Sequence, residues 1–156
     1  SRGHFGMHLV HFVVMSNHLH LLVELDKVEV LELDLTPRRA LSKAMASLNH
    51  RLAKALNGLW GRSGKLFADR YHARSITNGR EMKHVLEYVL KNAVKAGIVP
   101  HGILDPFSSA STHTDWADLL VRPRPSEDPR DGPVTEPART QTLRSAWKRY
   151  GRLSAV

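Results

Sequence analysis

Two short apolar runs, 7–15 (MHLVHFVVM) and 18–25 (HLHLLVEL), are rich in β-branched residues and separated only by Ser16-Asn17. That pattern predicts a β-hairpin. From residue 38 the period lengthens: Leu41, Met45, Leu48, Leu52 and Leu56 recur at helical spacing, with Arg39, Lys43, Arg51 and Lys54 between them. A helix over 38–57 follows, opened by Thr36-Pro37 and closed by Asn57-Gly58. A second helix runs from about Gly79 to Ala96, with the stripe Met82, Val85, Leu86, Val89 and Ala93. Asn78 can cap it, Glu81 stands at the capping-box spacing, and Gly97 suits its end. Between the helices, 58–70 (GLWGRSGKLFADR) reads as a Gly-rich basic loop and Tyr71–Ile76 as a short third strand. After Pro100 the period fades. Five of the eight prolines lie between Pro123 and Pro137, so 121–138 reads as a linker without a packed core. Residues 139–153 (RTQTLRSAWKRYGRL) suggest a short basic helix.

Composition narrows the classes this pattern could serve. A chain of 156 residues suits one domain with a tail. The absence of cysteine excludes a disulfide scaffold, a Cys-ligated zinc and a thiol nucleophile. No apolar run approaches the roughly 18 residues of a membrane helix, and the first 25 residues do not read as a signal peptide. The expectation is a cytoplasmic protein with no membrane partner. The net charge of +8 is unevenly spread. Residues 24–36 hold five acids (Glu24, Asp26, Glu29, Glu32, Asp34) against Lys27, and these read as strand-end and turn charges. Residues 38–83 hold eleven bases against Asp69 and Glu81, an excess larger than that of the whole chain. Such a segment can neutralise several phosphates, or serve only as a solvated, solubilising face.

The sharpest local chemistry is His18-Leu19-His20. On a strand both imidazoles share a face, while Leu19 and Leu21 point to the opposite layer. Two such rings can hold a divalent metal if a third ligand comes from elsewhere. A bare His-x-His more often plays a structural part, and with ten histidines in the chain, including His8 and His11, the pair alone decides nothing. Tyr88 and Asn92, four apart on the second helix, share a face at the edge of its stripe and offer a phenol and a neutral oxygen ligand. Their bland reading is a stripe-edge aromatic and a surface amide. Other motifs fail. Gly64-Lys65 lacks the first glycine and the Ser/Thr of a phosphate-binding loop, and there is no Gly-x-Ser-x-Gly.

Three segments in order resemble one family. Val14–Val23 (VMSNHLHLLV) is similar to a strand carrying His-hydrophobic-His, and Lys65–Arg74 (KLFADRYHAR) to a Phe-x-x-Arg-Tyr segment. Tyr88–Asn92 (YVLKN) with Lys95-Ala96-Gly97 is similar to a nucleophile helix. Together they resemble the single-tyrosine HUH transposases of the IS200 type, closest to the REP-associated tyrosine transposase group. The resemblance implies an α+β, ferredoxin-like antiparallel sheet with helices on one face. It also implies metal-dependent nicking and rejoining of single-stranded DNA, that is, DNA transposition. Tyr88 would be the catalytic nucleophile forming a 5′-phosphotyrosine. His18, His20 and Asn92 would hold Mg²⁺ or Mn²⁺. Arg70, Arg74, Arg62, Lys65 and Trp60 are the choices for contacts to single-stranded or hairpin DNA, Trp60 by stacking.

Two departures shape the expectation. Only six residues precede Met7, so either the first strand and helix of a βαββαβ unit are missing, which would leave an edge beside the hairpin bare, or the fold is completed differently. Ala93 stands where many relatives carry proline, an easier helix residue that leaves Tyr88 undisturbed. The resulting layout is a catalytic domain over 1–100, N-terminally incomplete, an extended Pro-rich linker over 101–138, and a basic helix or tail over 139–156. The protein would act as a monomer or homodimer. The alternatives are a catalytically inactive or truncated nucleic-acid-binding remnant and a small metal-dependent hydrolase using His18 and His20.

Overall fold

A computed structural model of the chain describes residues 4–117, 135–151 and 153. Among them the protein is α+β, with two antiparallel strands, β1 (Met7–Val14) and β2 (Leu19–Leu25). Three α-helices accompany them: α1 (Lys27–Glu32), α2 (Pro37–Leu59) and α3 (Gly79–Lys95). The hairpin and both longer helices fall within a residue or two of the predicted bounds. The chain divides into two compact units, one from Leu9–Glu24 and Ile76–Val156, the other from Arg2–His8 and Leu25–Ser75.

In the first unit, α3 covers the hairpin. Asn78 caps the helix by accepting from Glu81 N at 2.9 Å, and Glu81 Oε2 accepts in return from Thr77 N at 3.2 Å. Met82, Leu86, Val89, Leu90 and Ala93 are buried along one face, as the stripe predicts, with Leu90 added and Val85 only half-buried. On β2 the buried residues are Leu22 and Glu24, in phase with His18 and His20. Leu19 and Leu21, on the other face, are half-buried.

Residues on both sides of position 100 share this core. Leu104, Ala110, Trp116, Leu143, Trp147 and Leu153 join Val10, Leu22, Met82, Leu86 and Leu90. Residues 101–117, expected to begin a linker, are therefore packed, because Leu104, Ala110 and Trp116 each find an apolar wall. The remainder of the expected linker, 118–134, lies outside the described residues. Over 139–153 the expected basic helix is replaced by a π-type turn, Thr142–Ala146, and a 3₁₀ turn, Lys148–Tyr150. Its backbone is fastened instead by a buried carboxylate: Glu24 accepts from Arg139 N (2.6 Å), Thr140 N (2.8 Å) and the Thr140 hydroxyl. The outer edge of β1 is not bare. Phe107 O accepts from Val14 N at 3.0 Å, Ser109 Oγ from Phe12 N at 3.0 Å, and Leu9 O from Glu136 N at 2.8 Å.

Of the acid-rich stretch, Glu24 lies near the end of β2 and Asp34 in a turn, as expected, while Glu29 and Glu32, in the second unit, form part of α1. Asp26 caps it, its Oδ1 accepting from Val28 N (2.9 Å) and Glu29 N (3.3 Å). On α2 the fully buried positions are Ala40 and Ala44, while Leu41, Met45, Leu48, Leu52 and Leu56 are half-buried. Small residues one turn apart let the His4–Gly6 turn approach closely, and Lys43 Nζ lies 5.6 Å from the centre of the Phe5 ring. The third strand expected at Tyr71–Ile76 does not form. Of its six residues only Ile76 is half-buried, so no apolar alternation holds it against a sheet.

Candidate active site

The hairpin turn sets up the site. Met15 N donates to His18 O at 2.9 Å, closing a loop around Ser16-Asn17 and leaving His18 and His20 on one face. His18 Nδ1 lies 2.6 Å from Asn17 Oδ1, and that acceptor fixes the proton on Nδ1. In the tautomer that this selects, Nε2 carries the lone pair. It faces His20 Nε2 at 3.0 Å, with the rings edge-on at 4.7 Å between centres. The Tyr88 hydroxyl from α3 reaches the same His20 Nε2 at 3.3 Å, its ring 4.9 Å from the imidazole.

Burial holds the His20 pKa below its ordinary value, and the neighbouring His18 lowers it further. The ring is neutral at pH 7, the form in which an imidazole serves as a ligand. Tyr88 is 48 % exposed, so its hydroxyl is reachable from solvent while its ring edge rests on His20. Of the four residues expected at the centre, His20 thus touches both His18 and Tyr88. Asn92, one turn further along α3 and half-buried, makes no hydrogen bond to the other three among the described residues.

The five expected DNA contacts lie in the second unit, in the loop after α2. Trp60 is 55 % exposed, and the Arg62 guanidinium sits 6.0 Å from its ring centre. Arg62 also donates to Lys65 O at 3.1 Å, Lys65 Nζ donates to Ala68 O, and Asn57 Nδ2 holds Gly64 O at 2.8 Å. The loop is tied by its own side chains, and Arg70 and Arg74 are exposed further along it.

One cluster escaped the sequence reading. His8, Asp26 and Glu29 each offer a donor atom, all within 4.8 Å of one another, and such a group could hold a metal ion. The signal was faint: two acids within four residues of the end of one strand, and a histidine second in its partner.

Comparison with family models, curated proteins and solved structures found no match for this chain. Among the described residues no helix is long and apolar enough to cross a membrane.

Proposed function

We propose that the protein cleaves and rejoins single-stranded DNA, with Tyr88 as nucleophile and His18 and His20 as ligands of Mg²⁺ or Mn²⁺. The observation that carries this reading is the Tyr88 hydroxyl standing 3.3 Å from the Nε2 of a histidine whose neighbour's Nε2 is 3.0 Å away. Two ligands on one ion at about 2.1 Å each, at right angles, lie roughly 3.0 Å apart. The pair fits a shared cation, and Asn17 supports it by holding the His18 tautomer. When bound, the ion would supply Lewis-acid stabilisation of charge on the phosphate.

The chain's own residues account for the rest. Tyr88 loses its phenolic proton to solvent, its oxygen bonds to phosphorus, and the bond to the 3′-oxygen breaks. That oxygen takes up a proton as a free 3′-hydroxyl, and the downstream strand stays on Tyr88 through its 5′-phosphate. Because phenol, with a pKa near 10, is a good leaving group, a 3′-hydroxyl can reverse the step. Trp60, Arg62, Lys65, Arg70 and Arg74 would bind the strand by stacking and phosphate contacts. Asn92 enters as a further polar ligand from the same helix face, and the hairpin with α3 as part of a ferredoxin-like fold.

The test is cleavage of a hairpin-bearing oligonucleotide with Mn²⁺. Wild type should release a fragment ending in a 3′-hydroxyl, and Tyr88→Phe and His18→Ala/His20→Ala should not. A second reading, nucleic-acid binding without cleavage, draws on the self-supported basic loop. It predicts salt-sensitive binding that neither chelator nor Tyr88→Phe alters, and no cleavage by any variant.

A further inference from the structure

The open end of the hairpin brings together residues that the proposed reaction does not use. Asp26 N donates to Gly6 O at 2.7 Å, drawing the start of β1 against the start of α1. Gly6, at φ +71°, makes the approach possible: a Cβ there would lie 3.1 Å from Val30 Cγ2 and 3.2 Å from Asp26 O. His8, on β1, is only 3 % exposed. Its Nε2 lies 3.8 Å from Glu29 Oε1, too far for a hydrogen bond. Asp26 completes the group, its carboxylate oriented by the cap to Val28 N and Glu29 N. A cavity of about 340 Å³ lined by His4, Gly6, Glu29 and Glu32 opens beside Glu29.

We infer that His8, Asp26 and Glu29 form a second divalent-cation site, structural in role, that fastens the start of β1 to α1. Two donors sharing an ion at about 2.1 Å each stand between roughly 3.0 and 4.2 Å apart as their angle opens from 90° to 180°. The His8–Glu29 separation of 3.8 Å falls inside that range. All three donors lie within 4.8 Å, so modest rotamer adjustment closes the set. One imidazole nitrogen and two carboxylates suit a first-row ion such as Zn²⁺ or Mn²⁺; Ca²⁺ prefers oxygen alone. The inference does not depend on the DNA-cleaving reading, since it involves neither His18, His20 nor Tyr88.

The test uses the full chain carrying His18→Ala and His20→Ala, dialysed against Zn²⁺. One ion should remain per chain, and its binding should raise the unfolding temperature by several degrees. Adding Glu29→Gln should weaken Zn²⁺ binding at least tenfold and abolish the rise. Asp26→Asn, which keeps the capping oxygen, should do the same and carries the test if Glu29→Gln does not fold. No Zn²⁺ retained by the double-alanine chain, or binding indifferent to both further substitutions, would overturn the inference.

Discussion

Gly79 opens α3, the helix that carries Tyr88, and a Cβ added there would overlap the carbonyl oxygen of Ala146. It would also lie 2.7 Å from the Ala146 carbonyl carbon and 3.1 Å from Trp147 N. These are backbone atoms, held in place by Leu143 and Trp147 in the core, so no flexible side chain can swing aside. Overpacking of this kind costs about 1–3 kcal/mol, and the upper half of that range applies to a rigid neighbour. Replacing glycine by alanine in a helix returns about 0.5–1 kcal/mol, less in a first turn. Gly79→Ala should therefore destabilise the first unit by about 1–2 kcal/mol. Gly58→Ala, near the end of α2 with nothing within 4 Å, should be neutral or slightly stabilising. Urea unfolding followed by fluorescence reads the first unit, because Trp116 and Trp147 are both buried there. The midpoint should fall with the slope unchanged. A Gly79→Ala protein as stable as wild type would mean that the 142–147 segment does not pack on the start of α3, and the description of the core would be wrong.

Three further outcomes follow from particular contacts. Glu24→Gln leaves one acceptor where two oxygens served Arg139 N, Thr140 N and the Thr140 hydroxyl, and should lower stability by about 1–3 kcal/mol in urea titration. His11 is held at a pKa of about 4, chiefly by burial and then by His113, so the folded state disfavours its charged form. Glu136, Asp115 and Arg144 line the same cavity as the two histidines. Above pH 6.5 neither folded nor unfolded chain protonates His11; as pH falls toward 4 the unfolded chain takes up the proton first, and stability should drop by up to about 3 kcal/mol. His11→Gln should flatten that part of the profile measured by unfolding at stepped pH. Trp60→Ala should weaken binding of a single-stranded oligonucleotide by about 1–3 kcal/mol in a fluorescence titration, with the unfolding midpoint unmoved because the ring is exposed.

What could be read from the residues and what could not divides along a physical line. The hairpin, α2 and α3 announced themselves through apolar period and through caps at Thr36 and Asn78, all local signals. The meeting of His18 with His20 was also local, a consequence of strand alternation. That of Tyr88 with His20 was not local: the edge of the helix stripe made Tyr88 a candidate, and the resemblance implied its place beside the histidines. The segments 101–117 and 139–153 bury Leu104, Trp116, Leu143 and Trp147 from turns and irregular backbone, which have no period to read. Helix α1 was hidden because its residues 27–32 are all charged or exposed except Val30, and only the Asp26 cap marks it. The strand expected at Tyr71–Ile76 rested on length alone, and length without alternation does not make a strand. The His8, Asp26 and Glu29 grouping depends on the Gly6–Asp26 backbone contact, which spans twenty positions of sequence.

The central claim is that Tyr88 attacks DNA, and the most direct measurement is where a nucleotide becomes attached. Wild-type protein incubated with Mn²⁺ and a hairpin-bearing oligonucleotide would be digested with protease and nuclease and mapped by mass spectrometry. The account predicts a phosphonucleotide on the peptide containing Tyr88, and none when Tyr88 is phenylalanine or when His18 and His20 are alanine. A label on Tyr71, the exposed tyrosine of the basic loop, or cleavage with no label on any tyrosine, would contradict it.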